Sequence, residues 1–378
     1  MANRQRIIDE FTRLASIASP SFHEGEIARY LTRRFQELGG EVFTDDAGTR
    51  IGAESGNLIV TFPAEGRDSE PLMLSVHMDM VEPAAGVKPV LNNGVFTSAG
   101  PTVLGADDKA GIVEIMEAIE LLRERGIPRG PLEVVVTVCE EAGLLGAKNL
   151  DYSRLRSRRG LALDTTGIDL AIHRAPCADK LRFEITGRDS HAGIAPERGV
   201  SAIETAARAV TAMRLGRIDD ETTANIGTIR GGQAINIVPR NVVLEGEVRS
   251  HDPAKLKSQG EHMIACFGQA AGEMSREIDG VMVRPEIRCE VISDYPVMHV
   301  PLESDMVALV RAAGEAIGHP LTVRAAGGGS DANIFNSHGI ETLIVGTGMT
   351  HVHTEQESVR VTDMERVAEF LVEVMKRA

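Results

Sequence analysis

The chain has 378 residues, more than one ordinary core accommodates, and 43% apolar with 25% charged residues is the mixture of a soluble globular protein. Its 55 acidic against 40 basic residues leave a net charge of −15, which excludes the basic footprint that nucleic acid or an anionic membrane requires. Tryptophan is absent and aromatic residues make up 3%, so stacking on bases or sugars is not a theme.

The N-terminal MANRQRIIDEFTRL has no apolar core region and no small-residue cleavage site, and no apolar run approaches the ~20 residues of a membrane span. Ser21-Phe-His-Glu24 reads as a capping box opening an amphipathic helix that stops at Gly39-Gly40. NLIVTF (57–62) and PLMLSVHMD (71–79) follow as strands. DKAGIVEIMEAIELLRERG (108–126) sets Ile112, Ile115, Met116 and Ile119 on one helical face. LEVVVTV (132–138) and GLALD (160–164) are near-continuous apolar runs, as in strands covered on both faces by helices.

From about residue 178 the pattern changes. LRFEITG and VVLEGEVR alternate apolar and polar residues, as strands with one wet face do, and two helical stretches accompany them. After about residue 295 the α/β pattern resumes, with a helix at 303–317, the run ETLIVG, and a last helix whose capping box is Thr362 and Glu365. The expected architecture is α/β. A catalytic domain of a mixed sheet flanked by helices (1–176 and 295–378) is interrupted by an inserted α+β domain (177–294) with an antiparallel sheet and two helices. The four cysteines, Cys139, Cys177, Cys266 and Cys289, are scattered without CxxC spacing, so reduced thiols in a cytoplasmic protein are expected.

Acidic residues and histidines collect where apolar strands end, the place where open α/β sheets put their sites. The clusters are His77-Met-Asp79, Asp107-Asp108 before a helix, Glu140-Glu141 after VVVTVC, Asp164 after LAL, and His351-Val-His353 after LIVGTGM. Alone, a strand-end Asp is a turn or cap residue and adjacent glutamates are a solvated pair. Five such clusters converging on one sheet edge bring like charges together, and these require a counter-charge. Two divalent cations supply it. A site with cations about 3.5–4 Å apart needs a bridging carboxylate, outer His or carboxylate ligands and a water between the ions. Mixed His and carboxylate ligation suits zinc, with cobalt or manganese as substitutes. One glutamate of the pair then binds metal, and the other is free to act as general base.

HMDM, LGADDKAG, VCEEAGLLGA, LALD and HVHTEQE resemble, in order and over nearly the whole chain, the successive metal motifs of the dizinc exopeptidase family that includes peptidase T, carboxypeptidase G and aminoacylase. LGADDKAG with VCEEAGLLGA points to the peptidase T-like branch. The resemblance implies that Asp107 bridges the metals, that His77 and Asp164 hold one, and that Glu141 and a late histidine hold the other. Glu140 is then the general base, and Asp79 hydrogen-bonds the His77 imidazole and fixes its tautomer. A cis peptide is implied after Asp107. His353, with Glu357 four residues on and Ser-Val after it, fits the late-ligand pattern better than His351 with Glu355.

In the inserted domain, GRDSHAGIAPERGVSAIE resembles the family's lid motif, which assigns His191 to the substrate carbonyl of a neighbouring subunit. INIVPRN and EGEVR likewise assign Asn236 and Arg249 to substrate binding. AAGGGSDANIF lacks the GK[ST] of a nucleotide loop, and the resemblance makes Gly328 and Ser330 backbone contacts to substrate. The implied protein is a homodimeric, metal-dependent exopeptidase for short peptides, an aminopeptidase releasing the N-terminal residue of tripeptides. The alternatives are a carboxypeptidase, dipeptidase or N-acyl-amino-acid amidohydrolase on the same site, the other dinuclear aminopeptidase group, and a non-catalytic metal-binding protein.

Overall fold

Runs rich in Val, Leu and Ile form the central strands of the larger of two units into which the chain divides; the computed structural model describes residues 1–378. The larger unit is Met1–Ala175 with Met298–Ala378, and the other is Pro176–Val297. In chain order the first unit forms α1 (Arg4–Ala15), α2 (Gly25–Glu37), β1 (Glu41–Thr44), β2 (Leu58–Phe62), β3 (Leu72–His77), α3 (Ala106–Arg125), β4 (Leu132–Thr137), β5 (Arg159–Thr165) and β6 (Leu170–Ala175). The second forms β7 (Cys177–Thr186), α4 (Ala202–Ala212), β8 (Thr222–Gly231), β9 (Asn241–Ser250), α5 (Pro253–Glu273) and β10 (Glu286–Tyr295). The first is then completed by α6 (Asp305–Ala316), α7 (Asp331–Ser337), β11 (Glu341–Gly346) and α8 (Val361–Arg377).

The sheet of the first unit runs β1-β2-β4-β3-β5-β11-β6, with Met298–His299 and Thr322–Ala325 added on β6. Its four middle strands, β4, β3, β5 and β11, are parallel. All six residues of β3 and of β4 are buried, which is why they read as unbroken apolar runs rather than alternating ones. Parallel strands share one C-terminal edge, so the residues that follow them meet there.

Helix α3 corrects the expectation of an amphipathic helix. It packs on β3 and β5 and is covered by α1 and α8, so every residue from Ala106 to Ile119 is buried, charged ones included. Both expected capping boxes are also corrected. Ser21 Oγ donates to Asp79 Oδ2 (2.7 Å), and Glu24 accepts from the backbone amides of Phe22 and Cys139 (3.0 Å each), so α2 starts without a side-chain cap. Helix α8 begins at Val361, which puts Thr362 inside its first turn, and Glu365 pairs with Arg4 instead (2.9 Å). In each case a tertiary partner outcompetes the local hydrogen bond. A true capping box stands at α7, between Ser330 and Asn333.

The second unit is an antiparallel sheet in the order β8-β9-β7-β10, edged beyond β8 by Gly216–Arg217. Alternate residues of β7 (Leu181, Phe183, Ile185) and of β9 (Val242, Leu244) point into its core, where α4 and α5 cover the sheet and Phe183 stacks on Phe267 at 4.1 Å. No helix of the protein is long and apolar enough to cross a membrane. All four cysteines are free thiols.

Candidate metal centre

Three of the four middle strands deliver their chemistry at the shared edge. His77 is the last residue of β3, Glu140 and Glu141 follow β4, and Asp164 is the penultimate residue of β5. Asp107 comes from the start of α3, where its backbone and that of Asp108 are non-helical and the peptide between them is cis. His77, Asp107 and Glu141 offer ligand atoms that all lie within 4.8 Å of one another.

Asp107 sits between two imidazoles. Its Oδ1 is 3.0 Å from His77 Nε2, and its Oδ2 is 3.3 Å from His353 Nε2. His353 Nε2 is also 2.7 Å from Glu141 Oε1. The structure therefore brings His353, and not His351, to the carboxylates. His351 is exposed on the same loop, and both residues take positive φ there (53° and 62°).

The electrostatics describe a site built for positive charge. Burial pushes the His77 pKa down, yet hydrogen bonds to Asp107 and Asp79 overcome this and hold it well above the ordinary value. Hydrogen bonds from Asp107 and Glu141 raise His353 to about 10. Asp107 would be raised by burial, but the two imidazoles hold it well below the usual carboxylate range. Glu140 and Asp164 are pushed well above that range, first by burial and then by neighbouring carboxylates, with Asp164 acting on Glu140 and Asp107 on Asp164. The surrounding carboxylates favour positive charge at both imidazoles, and cations would answer the same electrostatic demand. A borderline His and carboxylate donor set, with one carboxylate facing two imidazoles, fits a pair of divalent ions.

Buried acceptors hold the ligand loops from beneath. Asp79 accepts from the Glu140 amide (Oδ1, 2.9 Å) and the Glu141 amide (Oδ2, 3.2 Å). The His77 Nδ1 contact at 3.1 Å is to the Asp79 main-chain oxygen, with the Asp79 carboxylate at 3.4 Å. Asp79 thus orients the glutamate pair at least as firmly as the imidazole. Glu357 is buried and takes the amides of Leu104, Gly105 and Asp107 (2.7, 2.8 and 2.9 Å), which fixes the approach to Asp107. Asp108 accepts from the His77 amide (3.2 Å). Asn57 receives the Val138 amide (3.1 Å) and donates to the Gly146 carbonyl (3.0 Å), closing the turn that carries Glu140.

The remaining residues singled out by sequence are not among the mutually close ligand atoms. Ser330 is buried, and its hydroxyl caps α7, while Gly328 is exposed just before it. In the second unit His191 and Asn236 are exposed on paired segments, joined by the Ala192 amide to the Asn236 carbonyl (2.9 Å). Arg249 lies near the far end of β9, half-buried and paired with Glu247 (3.0 Å). Sequence reasoning took Glu24 for a local cap and missed Asn57 and Asp331; each is a buried polar residue with a partner distant in the chain.

Residues 57–170 match the model of peptidase family M28, and residues 178–275 match that of the M20 peptidase dimerisation domain. The Bacillus subtilis protein YqjE, itself uncharacterised, is 40% identical over the whole of both chains. The aminopeptidase PepT of Bacillus cereus is 40% identical, covers 99% of this chain and 98% of its own, and superposes with a TM-score of 0.91. A tripeptidase of Staphylococcus aureus is 35% identical with a TM-score of 0.94, covering 100% of this chain and 99% of its own.

Proposed function

This chain belongs to the dizinc exopeptidase family, in its peptidase T-like branch, and from that premise we propose that it is an aminopeptidase releasing the N-terminal residue of short peptides, tripeptides above all. The observation that carries the reading is Asp107, whose two oxygens face two different imidazoles while Glu140 stands beside the cluster and outside it. His77, Asp164 and Asp107 would hold one divalent cation and Asp107, Glu141 and His353 the other, zinc in this proposal, and the pair would acidify water and polarise the scissile carbonyl.

Glu140 then does the proton work. It takes a proton from the attacking water and returns it to the departing amine. Its buried position, with carboxylates around it, raises its affinity for that proton, and cations oppose the push, so the group is balanced between its two tasks. Asp79 holds the Glu140 and Glu141 amides and so fixes the distance between base and ligand.

We assign the second unit to substrate binding and to pairing of subunits. Asn241, next to the His191 and Asn236 segments, and Arg249 are eight residues apart on β9, roughly 27 Å at strand spacing. One short peptide does not span that distance, so His191 and Asn236 serve a substrate bound by a second copy. The outer edge of β8 is paired only at Thr223 and Ala224, and Ile194 and Ile235 are 78% and 105% exposed near His191, features that suit a homodimer interface. Four free thiols suit a reducing, cytoplasmic setting.

The test is product analysis of a free-amine tripeptide, with chelated and zinc-restored protein and with Glu140→Gln alongside. Metal-dependent release of the first residue, lost in the variant, is expected. Release of the C-terminal residue, or cleavage confined to acylated amino acids, would overturn the aminopeptidase direction.

A further inference from the structure

We propose that Asp331 is a specificity residue of this centre, its carboxylate receiving the α-ammonium group of the substrate's first residue. The inference rests on the aminopeptidase reading. Asp331 is the first residue of α7 and is 4% exposed. Its Oδ2 accepts from Thr137 Oγ1 at 2.6 Å, and Thr137 ends β4 in register with His77. Its Oδ1 is buried without a hydrogen-bond partner. One oxygen is thus anchored to the strand beside a metal ligand, and the other is buried and carries no hydrogen bond.

Asp331 lies within electrostatic reach of the reacting groups, since its charge acts on both Glu140 and Asp164. Burial pushes Asp331 itself up to about 6, with the Thr137 hydroxyl, His77 and Lys148 opposing and Asp79 adding to the push. It stands outside the cluster of His77, Asp107 and Glu141 whose atoms could share an ion. Four other carboxylates there are engaged, and Asp108, whose Oδ1 also lacks a partner, accepts the His77 amide through Oδ2. Asp79 and Glu357 are spent on backbone amides, and Asp107 and Glu141 face imidazoles.

A buried carboxylate oxygen with no donor is costly, and a ligand that brings a cationic donor recovers the cost. An aminopeptidase must tell a free ammonium from an acylated nitrogen, and an anionic acceptor close to the base makes that distinction. The segment leading to Asp331 is open: Gly327 and Gly328 are exposed, and nothing lies within 4 Å of where a Cβ on Gly327 would be.

The experiment compares kcat/KM for a free-amine tripeptide with that for the same peptide lacking the α-amino group, in zinc-loaded wild type, Asp331→Asn and Thr137→Val. Asparagine keeps an acceptor for Thr137 and removes the charge. The wild-type preference for the free amine is expected to fall about 10- to 100-fold in Asp331→Asn, the worth of one charge-assisted hydrogen bond, with zinc content by mass spectrometry unchanged. Thr137→Val keeps the charge but releases the anchored oxygen, so its preference is expected to fall less than that of Asp331→Asn. Equal losses on both substrates in Asp331→Asn, or loss of zinc, would overturn the proposal in favour of a packing or ligand role. No free-amine preference in wild type would overturn the aminopeptidase reading itself. Asp331→Ser is the second variant should the asparagine protein fail to fold.

Discussion

Glu140 and Glu141 are neighbours in sequence, but only Glu141 lies among the mutually close ligand atoms, and the proposed base is Glu140. Glu140→Gln keeps the volume and the amide bond to Asp79 and removes the basic oxygen. Its kcat is expected to fall about 100- to 10,000-fold with metal content intact, read by turnover and elemental analysis together. An unchanged kcat would take the base role from this residue. The clusters at the strand ends were legible because their members are adjacent in the chain, as in His77-Met-Asp79 and Glu140-Glu141. Glu357 was legible only as a spacing mark for His353. Its partners, the amides of Leu104, Gly105 and Asp107, lie some 250 residues away, and no local pattern records them. Glu357→Ala leaves those three buried amides unpaired and is expected to cost about 3 kcal/mol or more in denaturant unfolding of the metal-free protein. A change within experimental error would show that Glu357 does not organise the segment.

At the scale of elements, central strands were read from apolar continuity and helices from periodicity, and both are present, but the single apolar face read for 108–126 did not survive burial. From Ala106 to Ile119 helix α3 has no wet face because it lies beneath two other helices, so its charged residues there answer to buried neighbours rather than to solvent. Lys109 is the clearest case. It is fully buried, donates to the Ile17 carbonyl (2.7 Å), and burial pushes its ammonium down to about 7 from an ordinary 10.5. Between those values the unfolded chain holds a proton that the folded chain has lost, so the stability contributed here rises with pH from about 7 to 10.5. Metal-free wild type is therefore expected to gain on Lys109→Met in unfolding experiments as pH is raised from about 7 to 10. A gap that stays constant or moves the other way would contradict the assignment. The turn carrying Glu140 has its own constraint, since a Cβ on Gly146 would fall 2.1 Å from the Val138 carbonyl oxygen.

For the whole molecule, the change from continuous to alternating apolar pattern near residue 178 announced a second kind of sheet, and the structure has one. What the pattern could not announce is where each residue proposed for substrate binding stands, because register along β9, rather than spacing in sequence, sets His191 and Asn236 apart from Arg249. The proposed sharing of an active site between two copies has a direct consequence. Glu140→Gln and His191→Ala proteins, each impaired alone, are expected to regain activity when unfolded and refolded together, since one site of the mixed dimer has an intact base and an intact lid histidine. No recovery in a mixture shown to contain mixed dimers would mean that His191 serves its own chain.

The proposed sharing of Asp107 between two metals underlies the metal site, the base and the assignment of His353, and anomalous diffraction from crystals grown with zinc tests it most directly. Two peaks about 3.5–4 Å apart are expected, one on the His77 side of Asp107 and one on the His353 side, with an Asp107 oxygen on each. A single peak, or two that do not share Asp107, would contradict it.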